Sequence, residues 1–430
     1  MITELRLKNW KSFTDATLYV DPVTILIGTN ASGKSNTLDA LLFLQRVASG
    51  IGIYQAIHGD VNLPPIRGGM EWVCHRRSDT FSLAIILSTE DKTIDYRYSL
   101  SVQVNGVKAE VCDEALTMLK YGSRNQTPRE LNIYHTKPPE NTAPGIPAFF
   151  STGRQGPGKR IDVNRSYTVL SQAESLSLRK DVQDGVRQVI SQLRKVFVFD
   201  PVPSHMRDYA SLSETLQSDG SNIAGVLAAL EPTRKAEVEG VLTRYLQSLP
   251  EGDIHRIWTE PVGKFKTDAM LYCEEKWLGE QIDLFCSQDV QSSETHIVDA
   301  RGMSDGTLRF LAIVTAMLTR QPGSLLVIEE VDNGLHPSRA DILIEMLKEL
   351  GKERGIDVIV TTHNPALLDA AGIAMVPFIT VVHRDETTGE SKLTLLEDLR
   401  QLPKLMAYGT LGRLSMDGCL EMAVRKGEEK

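Results

Sequence analysis

The chain has 430 residues, a formal net charge of -9, and apolar and charged fractions of 41% and 24%. That length allows two or three domains with a core that needs no covalent staples, and the acidic balance excludes a uniformly basic nucleic-acid coat while leaving room for a local basic patch. No apolar run reaches the roughly 18 residues of a membrane span, MITELRLKNWKSF lacks a signal-peptide pattern, and Cys74, Cys112, Cys273, Cys286 and Cys419 form no CxxC pair, so free thiols in a cytoplasmic protein are expected.

Ile2, Leu5 and Leu7 fall near strand spacing, and Leu18 and Val20 alternate before Asp21-Pro22. VTILI (23–27) is continuously apolar, as in a strand buried on both faces. GTNASGKSN (28–36) follows, then a helical repeat, SNTLDALLFLQRVAS, that closes before Gly50. FSLAIIL, DYRYSLSVQV and KAEVC alternate, which predicts antiparallel strands with a hairpin turn in VNGVK (104–108). Residues 122–168 are rich in Pro, Gly and polar side chains, so an irregular, partly mobile segment is expected there. Helices are predicted over 172–195, NIAGVLAALE and TRKAEVEGVLTRYLQSL. LLVIEE, ADILIEMLKELGKER and DVIVTTH then alternate strand, helix, strand, the mark of a parallel sheet. No sustained heptad run supports a long coiled-coil arm.

GTNASGKS fits G-x-x-x-x-G-K-[ST] at each fixed position, with a strand before and a helix after. Glycines let backbone N–H groups converge on phosphate oxygens, and the helix N-terminus adds positive potential. Gly28, Thr29, Asn30, Ala31, Ser32, Gly33, Lys34, Ser35 and Asn36 are therefore the candidate phosphate cradle. Lys34 is expected to reach the β- and γ-phosphates of ATP, and Ser35 to ligate Mg²⁺.

SLLVIEEVDNGLHPSR (324–339) ends an apolar strand in Glu329 and Glu330, where α/β sheets place ligand groups. Glu329 is expected to hold the Mg²⁺ shell, directly or through water, and Glu330 to orient the attacking water. MSDGTLRFLAIV sets Ser304, Asp305 and Gly306 before an apolar helix, either a plain cap or a phosphate-binding end. Asp305 suits a phosphate only if its side chain turns back to cap that helix, and that conformation is expected. VIVTTHNP delivers His363 to a strand end, as a satisfied structural residue or a γ-phosphate contact.

The order of these motifs resembles the ABC-type ATPases of the SMC/RecF-like branch, close to the compact bacterial proteins related to the OLD-family ATPase domain. LRLKNWKSF is similar to their opening strand, SDGTLR to the signature, IEEVDNGLHP to the Walker B motif and D-loop, and TTHNP to the switch-histidine strand. FDPVPSHMR and SDGSNIAGVL are similar to the group's insertion, and PPIRGG (64–69) is a shared feature with no derivable role. Residues 1–60 and 295–385 carry the likeness. Glu329 stands where Asp is usual and Val331 where Pro is frequent. Gln45 and Gln55 are candidates for the family's Q-loop glutamine by position alone.

The resemblance implies an α/β fold: an ABC-type P-loop domain with a mixed sheet, an antiparallel β subdomain and an inserted helical subdomain. The expected units are an N-terminal lobe (1–120), an insertion (121–294), a C-terminal lobe (295–395) and a tail (396–430). It also implies a homodimer whose composite sites join one chain's P-loop to the other's signature.

No second catalytic constellation follows His363, so a separately encoded effector, a nuclease or toxin of an anti-phage module, is the expected partner. A RecF-like DNA clamp is the alternative. A transporter subunit is disfavoured by the NWKSF opening, the long insertion and the lack of LSGGQ. Residues 151–200 hold nine Lys or Arg against five Asp or Glu. Arg154, Lys159, Arg160, Arg165, Arg179, Lys180, Arg187, Arg194 and Lys195 form either a nucleic-acid surface or a solvated face.

Overall fold

The computed structural model describes residues 1–122, 127–139, 143–154, 156–249, 253–278 and 293–428. Cys286 lies outside them.

Three sheets organise the chain. The first is antiparallel and eight-stranded, in the order Phe13–Tyr19, Ile2–Trp10, Thr80–Ser88, Ile94–Asn105, Lys108–Lys120, Arg129–Thr136, Gly145–Phe150 and Lys159–Asn164. Strict alternation buries one face, as Phe81, Leu83, Ile85 and Leu87 show. That face packs on two helices, Lys34–Ala48 and Lys180–Arg194, with Trp10, Phe43 and Phe81 in mutual ring contact at 4.9–5.8 Å. The expected hairpin is present: Asn105 pairs with Lys108, and Gly106 takes φ +59°, which glycine adopts without strain.

The second sheet has six strands, in the order Val196–Phe199, Leu325–Ile328, Asp357–Thr361, Val23–Ile27, Ile379–Arg384 and Ser391–Leu395. All neighbours run parallel except the last pair. Val23–Ile27, Leu325–Ile328 and Asp357–Thr361 are buried at every residue, which is why they read as unbroken apolar runs. The third sheet pairs Asp268–Leu278 with Ile254–Val262 on one edge, and with Ala210–Ser211 and Ser293–Asp299 on the other. It packs on the helices Ile223–Ala229 and Pro232–Gln247. The fold is α/β with a mixed sheet, an antiparallel subdomain and an insertion, as expected.

The structure differs from the sequence reading in three places. The segment expected to be irregular contributes three strands, so the antiparallel sheet runs past residue 120 to Asn164. Long-range ladder bonds hold those strands and offset their Pro- and Gly-rich surroundings. The insertion expected to be helical also carries the third sheet. The helix expected over 172–195 is two helices, Val169–Ala173 and Lys180–Arg194.

One carboxylate is built into the core of the antiparallel lobe. Glu114 is fully buried and accepts from Val169 N (2.6 Å), Leu170 N (2.8 Å), Tyr134 Oη (2.8 Å) and Tyr98 Oη (3.1 Å). Burial pushes its pKa up to about 7, and the four donors pull the other way.

Candidate functional site

The central strand Val23–Ile27 ends at Gly28, whose φ is +147°. A Cβ there would lie 2.1 Å from Val382 O, so only glycine fits. Ala31 (φ +62°) and Gly33 (φ +121°) also take left-handed backbone, turning the loop into a concavity that opens onto the helix beginning at Lys34. The Lys34 ammonium donates to Gly28 O (2.5 Å) and Thr29 O (3.1 Å). Burial lowers its pKa, while Glu330, Glu329 and Glu421 oppose that shift.

A cavity of about 300 Å³ lies above this loop, lined by residues 30–36, Glu329, Glu330, Thr361 and Arg384. The Ser35 hydroxyl donates to the Glu329 carboxylate, joining two segments 294 residues apart. Two hard oxygen donors in contact suit a magnesium ion, which prefers carboxylate and hydroxyl oxygens. Glu330 has a φ of +46°, uncommon for a residue with a side chain. Its backbone is fixed on both sides: Glu330 N donates to Thr361 Oγ1 (2.7 Å), and the buried Arg309 donates to Glu329 O (2.8 Å), Glu330 O (3.0 Å) and Pro201 O (2.7 Å).

Arg67, from PPIRGG, reaches the same place. Its guanidinium donates to both Glu329 oxygens (2.8 and 2.9 Å) and to Asp39 Oδ1 (2.9 Å). Asp39 also binds the buried Lys11 ammonium. Burial works against the Arg67 cation, but Asp39 and Glu329 outweigh it and hold its pKa above the usual value. Arg384 donates from Nε to Ala31 O (2.8 Å). No motif assigned a role to Arg67, Arg309 or Arg384. The glycines after Arg67, at φ +82° and +54°, were the one local signal.

The remaining expected residues stand apart from the cavity lining. Ser304 caps the helix Asp305–Thr319 by accepting from Thr307 N (3.1 Å). Asp305 does not turn back to cap it, contrary to expectation. Arg207 captures its carboxylate and also donates to Arg301 O (2.9 Å) and Met303 O (2.8 Å). Gly306 faces its own chain, and a Cβ would sit 2.7 Å from Gly334 O in the loop after the carboxylates. His363 is exposed beyond Thr361. Neither Gln45 nor Gln55 lines the cavity.

Much of the basic segment is neutralised internally. Arg160 pairs with Asp162, Arg165 with Glu110, Arg179 with Asp181 and Arg194 with Glu174, while Lys195 donates to Pro322 O.

A buried parallel strand, a left-handed glycine loop and a helix opening on Lys34-Ser35 define a P-loop domain. Residues 23–369 match the family described as "AAA domain, putative AbiEii toxin, Type IV TA system", and the chain belongs to that family. The ABC-type, SMC/RecF-like reading of the motif order agrees with this assignment. Comparison with curated proteins finds no match. Similar solved structures include an SMC head bound to the C-winged helix domain of ScpA (14% identity, 91% of this chain, 96% of that chain, TM-score 0.49). Another is the SMC head domain from Thermotoga maritima (15%, 92%, 98%, 0.42). A third is an Smc head with an extended coiled coil bound to the C-terminal domain of ScpA derived from Pyrococcus furiosus (14%, 94%, 99%, 0.49).

Proposed function

We propose that the chain hydrolyses ATP in the P-loop cavity, as a homodimer, and that this cycle controls a separately encoded effector in an anti-phage module. The observation that carries the ATPase reading is the contact between Ser35 and Glu329 beside the P-loop, with Glu330 next to it on the cavity wall.

Backbone N–H groups of residues 30–36 and the Lys34 ammonium take the phosphates, Lys34 exchanging its loop carbonyls for phosphate oxygens. Ser35 and Glu329 hold Mg²⁺, which when bound neutralises developing phosphate charge. Arg67 must then release at least one Glu329 oxygen. Glu330 orients the attacking water, its backbone pinned by Thr361 and Arg309, and His363 contacts the γ-phosphate. Ser304 and Gly306 of a second copy complete the site, a helix N-terminus facing the phosphates. The Arg207 contact keeps Asp305 from repelling them. The family's description supports a defence role, since it names a putative toxin of a toxin–antitoxin system.

The test is a pair of isosteric substitutions. Glu330→Gln should bind ATP with unchanged affinity, lose turnover by about 10²-fold or more and accumulate as an ATP-bound dimer by light scattering. Glu329→Gln should instead weaken the Mg²⁺-dependent part of ATP binding in calorimetry. Wild-type turnover by Glu330→Gln would overturn the assignment.

A further inference from the structure

The outer face of the antiparallel sheet carries a groove of about 480 Å³ under the loop residues 151–154 and 156–158, away from the P-loop cavity. Its floor is a rung across three strands, with His135 opposite Phe149 and Phe149 opposite Arg160. The His135 and Phe149 rings stack at 5.5 Å and 18°, and the Lys137 ammonium lies 4.9 Å from the Phe149 ring centre. Phe150 and Tyr134, next along the same strands, point into the core. The ring pair therefore belongs to the outward face.

Two guanidiniums line the groove, Arg129 from a strand and Arg154 from the loop, and neither has an acidic partner among the described residues. The acids beside them are already neutralised, Glu130 by Arg97 (2.6 Å) and Asp181 by Arg179 (2.6 Å). Ser151 and Thr152, at the start of that loop, are held in place. Ser151 N donates to Ile133 O (2.9 Å), and Arg179 donates to Thr152 O. Gly158 permits this path, since a Cβ there would meet Phe150 O at 2.6 Å.

A ligand here must bring negative charge to two uncompensated guanidiniums and a flat face to the rings. Single-stranded nucleic acid has both, because its bases are unpaired and every base has a π-face. A duplex hides its base faces, and an acidic peptide offers charge without them. We infer that this groove binds single-stranded nucleic acid, with phosphates on Arg129 and Arg154 and a base on the His135–Phe149 stack. Arg160, Arg179, Arg194 and Lys195 are spent on internal contacts. The basic surface expected over 154–195 thus contributes mainly Arg154. The inference is independent of the ATPase assignment.

The test is fluorescence anisotropy of the full chain with labelled dT20, against duplex DNA and poly-glutamate. The wild type should bind dT20 most tightly of the three. Arg129→Gln/Arg154→Gln should weaken binding about tenfold or more at 0.1 M salt and make the log–log salt slope shallower by about 1.4, roughly 0.7 per phosphate contact. Phe149→Leu should weaken binding about tenfold with the slope unchanged, as loss of a stacked base predicts. Lys180→Gln/Arg187→Gln, on the neighbouring helix, should bind like wild type. Far-UV circular dichroism should be the same in all of them, which reports folding without reference to ATP turnover. No binding of dT20 at 0.05 M salt, equal binding of the duplex or poly-glutamate, or an equal loss in the helix double variant would each overturn it.

Discussion

Arg309 shows what a single buried cation does in this chain. It is 5% exposed, and its strongest contacts are three backbone carbonyls rather than a carboxylate. It lies on the helix that Ser304 caps and grips both carbonyls of the Glu329-Glu330 pair, so it positions Glu330 without touching the cavity. Arg309→Met should lower kcat for ATP by about tenfold or more while leaving KM nearly unchanged, the pattern of a lost transition-state contact. Arg309→Lys, which keeps a donor, should recover part of that loss. A rise in KM with kcat intact would show that the residue serves nucleotide binding instead. At this scale the sequence was legible where chemistry is local. Gly28, Lys34 and Ser35 sit within one motif, and Glu329 and Glu330 end one apolar strand. Arg67 and Arg384 were not legible, because their partners at the site, Glu329 and Ala31, lie 262 and 353 residues away and no spacing rule connects them.

Among the elements, the short helix Val169–Ala173 rests its N-terminus on Glu114, which ties it to two strands through Tyr98 and Tyr134. A carboxyl whose folded pKa is about 7, against 4.5 unfolded, binds its proton more tightly in the native state. Its contribution to stability is full below about pH 4.5 and is lost as pH rises through 7, up to roughly 3 kcal/mol. The wild type should therefore lose melting temperature from pH 5 to pH 8. Glu114→Gln should melt lower at pH 5, because its amide faces backbone donors, and should show a flatter profile over the same range. Parallel profiles for the two proteins would sink this account. The strands Arg129–Thr136, Gly145–Phe150 and Lys159–Asn164 escaped the sequence reading for a related reason. They are short, they carry Pro147 and many polar residues, and their order comes from neighbours in the ladder. Thr80–Ser88 and Ile94–Asn105 were readable because they sit inside the sheet and alternate strictly.

For the whole molecule, Gly306 lies against Gly334, so the helix end that Ser304 caps packs on the loop after the carboxylates. If a second copy completes each site, this contact links the site a chain helps to complete with the site it owns. Ser304→Arg alone should bind ATP but fail to turn it over, and Lys34→Ala alone should not bind it. In a heterodimer of the two, one composite site carries both lesions and the other carries neither. An equal mixture should recover about a quarter of wild-type turnover, since half of the dimers carry one intact site of two. Ser304→Arg chains that hydrolyse ATP at the wild-type rate by themselves would rule out a shared site. The overall class was legible from motif order, because the phosphate loop, the Glu329-Glu330 pair and Thr362-His363 each follow a buried parallel strand. The third sheet was not, because its strands share a sequence region with helices.

The strand that carries the P-loop is made early, but its two ladder neighbours, Asp357–Thr361 and Ile379–Arg384, come more than 300 residues later. During synthesis, the eight strands up to Asn164 can pair among themselves while Val23–Ile27 waits with both edges bare. A nascent or truncated chain ending before Asp357 would therefore hold every residue of the phosphate loop and still lack the sheet that shapes it. Synthesis must pass Arg384 before the sheet around the phosphate loop is complete, so a product terminated earlier lacks the assembled pocket.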